Sequence, residues 1–385
     1  MKDIKTILTK SQNYWSIGYL NNYDYIMILN TLAGRTYNDF AQYPIFPWII
    51  KDYSTETISL DQDIYRDLTY PIFAQEEKKR EELLNKYDDG NEGAYFSGTH
   101  FSTPGFVTFF LIRMKPFANM ASEIQGGYFD TSDRLFANIK SMWNLEKYQE
   151  FIPELYYLPE AFRNFNNFDF GQTQHELKVN DVILPDWAQD DPRLFVKMNK
   201  KALESTFVCT KISDWIDLIF GYKQTGKEAK DFFNIYRKAC YPFDVITEIV
   251  KQKSISKGEE INKILMNLEI IMNEICEMGQ NPTQLFQKSH PKKERNLKNK
   301  AFFGNFNFLL NFKYDENKNE KIYFPFDEIE NFKGFNEIDD INISKCEGGL
   351  SSFRIIIPQN EEKDFLNSKK KIPKFKFIKY IFHFR

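Results

Sequence analysis

Residues 29–48 read LNTLAGRTYNDFAQYPIFPW. Arg35, Asn38, Asp39 and Gln42 stand within eight positions, and Tyr43, Pro44, Phe46, Pro47 and Trp48 follow at once. Polar groups and large apolar groups must therefore share one small volume, and buried polar groups need partners. Pro44 and Pro47 forbid a regular hydrogen-bond ladder. The stretch is therefore predicted to be an irregular buried segment, its backbone satisfied by the fork of Arg35 and the amides of Asn38 and Gln42. Such an arrangement is a scaffold and contains no catalytic constellation. Just upstream, Tyr25, Ile26, Ile28, Leu29 and Leu32 lead into a turn at Gly34 as a short helix or a strand, which periodicity does not decide.

Composition narrows the function classes. The 385 residues suffice for one large domain or two, and a net charge of −3 argues against global attraction to nucleic acid. The 38 Phe and 21 Tyr share AT-rich codons with the abundant Lys, Asn and Ile, so they are not read as base-stacking platforms. Cys209, Cys240, Cys276 and Cys346 are dozens of residues apart, without metal-ligand or disulfide-framework spacing. No signal peptide or membrane span is legible, which points to a reducing, cytoplasmic compartment.

Outward from the opening stretch, 75–86 alternates in charge as an exposed helix does. His100 sits in a turn after Gly98, ahead of an apolar run over 106–112 that reads as a buried helix, and is itself read as a hydrogen-bonded structural histidine. Asp130 and Asp133 precede Leu135, Phe136, Ile139 and Met142 with the spacing of a helix cap and a first-turn acid. Glu154 and Glu160, six apart in a Pro-bracketed segment, read as surface or capping carboxylates. Asp190 and Asp191 before Pro192 mark a helix start, with Phe195, Met198, Ala202 and Leu203 as its apolar stripe.

WIDLIFGYKQTGKEAKDFF contains Gly221, Gly226 and Lys227 at the spacing of a phosphate-binding loop. Glu228 occupies the position where that loop carries Ser or Thr, and Trp215–Phe220 fits a strand or a helix equally well. The alternatives are a nucleotide site over Gly221 to Lys227 and a structural helix end. The best periodicity is at 261–278, an amphipathic helix stopped by Gly279 and Pro282. A boundary is expected near Lys292, followed by strand-like runs over 302–332 and a basic aromatic tail, 369–385, suited to anionic lipid or RNA, or to none, as a solvated or disordered end.

In order, NYWSIGYLNNYDYIMILNTLAGRTYNDFAQYPIFPWIIKDY, DIYRDLTYPI, SGTHFSTPGFVTFFLIRMKPF, IQGGYFDTSDRLFANIKSMW, ELYYLPEAFRNFNNFDFG, DVILPDWA, ALES, WIDLIFGYKQTGKEA and MGQNPTQLF resemble the BEACH domain, the beige and Chediak-Higashi module. The resemblance covers roughly Tyr14 to His290. It implies a mainly α fold with irregular extended segments in its core, and a short β-like or disordered region at the C-terminal end. The expected organisation is a remnant of an upstream region at 1–13, the BEACH domain at 14–291, and a divergent linker and tail at 292–385. Neither a preceding PH-like domain nor a following WD-repeat propeller is recognisable.

The resemblance also implies a non-enzymatic scaffold in vesicle traffic, without cofactor, metal or nucleic acid. It would act through a PH-like domain or other trafficking proteins, supplied in trans, with indirect attachment to endosomal or lysosomal membranes. It makes Asn30, Gly34, Arg35, Asn38, Asp39, Gln42, Tyr43, Pro44, Pro47, Trp48, Gly98, His100, Asp130, Asp133, Arg134, Trp215, Gly221, Lys223 and Gln224 structural or interaction residues, and FGYKQTG a structural signature.

Overall fold

The computed structural model describes residues 2–60, 62–88, 94–144, 149–241, 270 and 273–293. They are mainly α-helical, with many short 3-10 turns. The helices are α1 (Lys2–Ser16), α2 (Asn22–Leu32), α3 (Glu77–Asp88), α4 (Pro104–Leu111), α5 (Lys115–Ile124), α6 (Ile139–Asn144), α7 (Pro192–Leu203), α8 (Thr206–Ile219) and α9 (Gly226–Asp231). The ambiguous segment before Gly34 is helical. Asn21 caps α2 by accepting from the Asp24 amide, and Tyr25, Ile26, Ile28 and Leu29 form its buried face.

Local chemistry sets several starts. Thr103 accepts from the Phe106 amide with Pro104 in the first turn of α4, and Asp191 with Pro192 opens α7 as the sequence predicts. Ser205 caps α8 through the Val208 amide. The stripe expected on α7 is present, with Phe195, Ala202 and Leu203 buried and Met198 packed beside them.

Between helices the chain is extended but does not assemble sheets. Among the described residues, strand-like contact is limited to isolated bridges such as Phe46↔Phe151 and Ile50↔Tyr65. Phe46 donates to the Phe151 carbonyl at 2.8 Å, but Pro44 and Pro47 on either side have no N–H to extend the ladder. These segments lie inside the main core, where Trp15, Trp48, Trp215, Phe46, Phe110, Phe136 and Phe151 are fully buried. Trp48 stacks on Phe151 with ring centres 4.3 Å apart. A smaller apolar cluster gathers Ile112, Ala121, Leu135, Phe170 and Val179.

One sequence expectation differs from the structure here. Asp130 and Asp133 cap no long helix: Asp133 lies within a 3-10 turn over Ser132–Arg134 and Asp130 just before its start at Thr131, and Asn138 accepts from the amides of Lys140 and Ser141 at the start of α6. Residue 13, just ahead of the expected domain start, lies within α1. The strand-like runs, the basic tail and most of the periodic segment 261–278 lie outside the described residues, although 273–277 is helical.

Candidate functional site

Arg35 leaves the end of α2 with its amide donating to the Asn30 carbonyl at 2.9 Å, which turns its side chain inward. Its guanidinium donates to the Tyr43 carbonyl at 3.4 Å, to Ser102 Oγ at 2.6 Å and to the Gln280 carbonyl. Burial draws its pKa down to about 9, with Asp39 opposing. His100 Nδ1 lies 3.3 Å from Ser102 Oγ, and burial followed by the charge of Arg35 holds its pKa well below the usual value. Serine and histidine are thus adjacent, yet both are buried, and the serine hydroxyl is engaged by Arg35 and the Ala41 carbonyl. This is structural bonding in a place that no substrate reaches.

Arg35 satisfies backbone carbonyls as the sequence suggests, but the amide that serves the irregular segment is a different one. Asn30 brackets the Ile45 peptide, accepting from its N–H at 2.8 Å and donating to its C=O at 2.9 Å. Asn38 is exposed, and Gln42 is half-buried and donates to Asp39 at 2.9 Å. Asn38 and Gln42 therefore do not fill the role assigned to them: Asn38 follows the turn that Arg35 pulls inward, which leaves its amide facing water.

The centre of the core is Glu150, which the sequence reading passes over. Its carboxylate pairs with Arg66, and both side chains are fully buried. It also accepts from the Trp48 amide at 2.8 Å and from Trp215 Nε1 at 3.2 Å, so one acid joins three distant segments. Nearby, Glu154 accepts from the Tyr43 hydroxyl at 2.6 Å. It is 6 % exposed and hence not the surface carboxylate expected. The signal available in the sequence was a charged residue set among large apolar ones, as in IYRDL around Arg66 and YQEFIPEL around Glu150.

Burial pushes the Glu154 carboxyl up to about 7, against hydrogen bonds that lower it. A folded-state value above the unfolded one means that the native state binds the extra proton. The resulting stability is complete below about 4.5 and is lost as pH rises to about 7. The expected result is that Glu154→Gln gains on wild type as pH is raised through this window, with a constant difference above it. Urea unfolding of both proteins at pH 5 and pH 8 measures this; a pH-independent difference would show a normal carboxyl.

The end of α8 is a second nexus. Trp215, Gly221, Lys223 and Gln224, chosen from sequence, cluster here. Gln224 Nε2 donates to the Ile219 carbonyl at 2.6 Å and to the Pro282 carbonyl at 2.9 Å. Lys223 is buried, 3.8 Å from Asp214 and 3.8 Å from the centre of the Phe232 ring. The phosphate-loop alternative fails on geometry. A helix feeds the segment where that loop needs a strand, a 3-10 turn occupies 222–224, and the Gln224 amide donates back to the Gly221 carbonyl. Gly221 is required for close approach: an added Cβ would lie 2.6 Å from the Asp217 Cα. Gly221→Ala is therefore expected to cost about 1–3 kcal/mol, measurable by thermal melting.

Residues 279–293 run as a strap across these sites. Gln280 donates to the Ala41 carbonyl and Thr283 to that of Ala33, Leu285 donates to the Phe220 carbonyl, and the Gln284 side chain reaches the Gly221 carbonyl at 3.0 Å. Asp217 accepts from the His290 amide at 2.8 Å, and burial raises its pKa to about 6. The His290 ring lies 3.0 Å from the Tyr25 hydroxyl and 3.3 Å from Gln12, and Lys293 approaches Asn22 at 3.2 Å and Glu204 at 3.7 Å. The segments NTLAGR, FGYKQTG and MGQNPTQLF thus form one assembly.

Asp130, Asp133 and Arg134 belong elsewhere, beside an open surface cleft of about 590 Å³ bounded by 127–133 and 169–174. Asp133 accepts from the Gln174 amide, and Asp130 from the Thr131 amide while lying 3.7 Å from the exposed Arg134. Tyr128, 79 % exposed, stands at the cleft. Gly98 lies in the turn after Ser97, which bridges to Tyr236.

A family model described as Beige/BEACH domain matches residues 13–293. The chain is 37 % identical over 292 residues to Beige protein homolog 1 of Saccharomyces cerevisiae, covering 72 % of this chain and 13 % of that protein. It is 39 % identical over 295 residues to BEACH domain-containing protein A2 of Arabidopsis thaliana, 74 % of this chain and 8 % of the relative. It is 40 % identical over 286 residues to a putative neurobeachin homolog of Caenorhabditis elegans, 72 % and 11 % respectively. The match thus spans only a small part of each of these relatives.

Proposed function

Because the chain belongs to the Beige/BEACH domain family, we propose that it is a non-enzymatic scaffold or adaptor of membrane and vesicle traffic that works through protein contacts. One observation carries this reading: the buried polar residues of the matched region are consumed inside the fold. Arg35 and Gln224 hold the strap, Glu150 holds Arg66 and two tryptophan segments, and His100 is buried and neutral. What faces outward is instead suited to contact, including Tyr19, Tyr128, Phe165 and Leu177, all more than half exposed.

The partners in this reading are a PH-like domain or other trafficking proteins, supplied in trans, and attachment to endosomal or lysosomal membranes is peripheral and runs through them. Among the described residues no helix is long and apolar enough to cross a membrane. The test is titration of the purified chain with a separately produced PH-like domain, followed by calorimetry and gel filtration, with a saturable stoichiometric complex expected. A parallel titration with ATP and GTP checks the opposite view. Micromolar nucleotide binding that disappears in Lys227→Ala would overturn the scaffold reading.

A further inference from the structure

Glu154 differs from the other buried acids described above. Glu150 has Arg66, and Glu204 has Lys293 at 3.7 Å. Among the described residues no cationic side chain forms an ion pair with Glu154, and no cation is among the groups that set its ionisation. One oxygen takes the Tyr43 hydroxyl. The other, Oε2, is buried without a hydrogen-bond donor in good geometry, although the Tyr157 hydroxyl lies near.

Four phenols feel the charge of this carboxyl: Tyr23 from α2, Tyr37 and the bonded Tyr43 from the irregular segment, and Tyr157 from the turn after Pro153. Tyr37 meets Tyr43 edge-on at 5.4 Å, and Tyr23 meets Tyr157 edge-on at 6.5 Å. Tyr23 and Tyr37 are half-buried, and Tyr157 is 38 % exposed, so this group of rings reaches the protein surface. Asp24, whose charge acts on Tyr23, is itself acted on by Glu204 and Lys200.

We propose that Glu154 and the tyrosines over it form a receptor for one ammonium group, the tip of a lysine side chain on a partner protein. An ionised carboxylate buried without a counter-charge is costly, and a cation entering from a partner supplies what the fold omits. Aromatic faces add attraction for a cation that reaches them. The chemistry selects ammonium over guanidinium. A bidentate guanidinium fork needs both carboxylate oxygens, and here Tyr43 already donates to one, whereas an ammonium can aim one N–H at Oε2 and its other two at phenol oxygens or water. The rise of the carboxyl to about 7 agrees with a site that holds a proton until a cation replaces it.

The proposal rests on the reading of the chain as a protein-binding module and specifies one contact of that module. Its test uses the full chain labelled with 13C at glutamate side-chain carboxyls and the probe n-butylammonium chloride. Sodium chloride at equal ionic strength and n-butylguanidinium serve as controls. The Glu154 signal is the one missing in Glu154→Gln.

Butylammonium is expected to lower the titration midpoint of that signal saturably by about one pH unit or more. Sodium chloride is expected to leave it in place, and butylguanidinium to need several-fold higher concentration. Tyr157→Ala, at a half-exposed position, is expected to fold and to weaken the butylammonium response several-fold. Equal responses to butylammonium and sodium chloride, equal responses to the two organic cations, or an unchanged response in Tyr157→Ala would overturn the proposal. Capture of a PH-like domain that survives such a result would leave the scaffold reading standing, which separates the two.

Discussion

Glu150→Ala is expected to lose about 3–5 kcal/mol of folding stability, the largest effect of any single change considered. The substitution strands the Arg66 guanidinium in the core, where its side chain has no exposure to water. It also leaves the Trp48 amide and the Trp215 indole N–H without their acceptor. Each loss has its own cost, and the uncompensated buried charge is the greatest of them. Glu150→Gln keeps an acceptor oxygen but not the charge, so its cost should fall between that of alanine and zero. Urea unfolding followed by tryptophan fluorescence reads the transition, since Trp48 and Trp215 both contact the site. A Glu150→Ala protein with the wild-type midpoint would mean that Arg66 finds another partner and that Glu150 is not central.

Arg35→Ala is expected to cost about 2–4 kcal/mol, as removal of a buried, hydrogen-bonded charge should. The three acceptors left behind belong to three separate segments: Tyr43, Ser102 and Gln280. Arg35→Lys is expected to recover only part of the loss, because one compact ammonium cannot replace a rigid fork across them. A purely local cost would be confined to neighbouring amides. The geometry predicts something more specific, faster hydrogen exchange along the strap at Gln280 and Thr283, whose amides bond to Ala41 and Ala33. A melt equal to wild type together with unchanged strap exchange would remove Arg35 from this role.

The parts of the fold legible in the sequence were those set by neighbours in the chain. Pro192 after Asp191, the charge alternation of α3 and the apolar run of α4 each announce an element within a dozen residues. The burial of Arg35 was legible too, because two prolines and several aromatics crowd it. The partner assignments were not. Tyr43 bonds to Glu154 across 111 positions, Trp48 to Glu150 across 102, and Arg35 to Gln280 across 245. No periodicity encodes such distances, so Glu154 read as a surface acid. Asn38 stands near Arg35 in the chain yet faces water, whereas Asn30 reaches the Ile45 peptide from the inward face of α2. The glycine-and-lysine spacing at 221–227 left a nucleotide loop open as an alternative for a related reason: the spacing matches, but a helix precedes it.

The strap has a topological consequence. His290 meets Gln12 on α1 and Tyr25 on α2, and Lys293 meets Asn22. The two edges of the matched region, near residues 13 and 293, therefore lie side by side. A domain whose entrance and exit adjoin can sit within a longer polypeptide as a closed loop, adding little to the separation of what flanks it. Closing that loop requires contacts more than 270 residues apart, so docking of the strap should be a late and slow event in folding, and one that seals the keystone around Arg35.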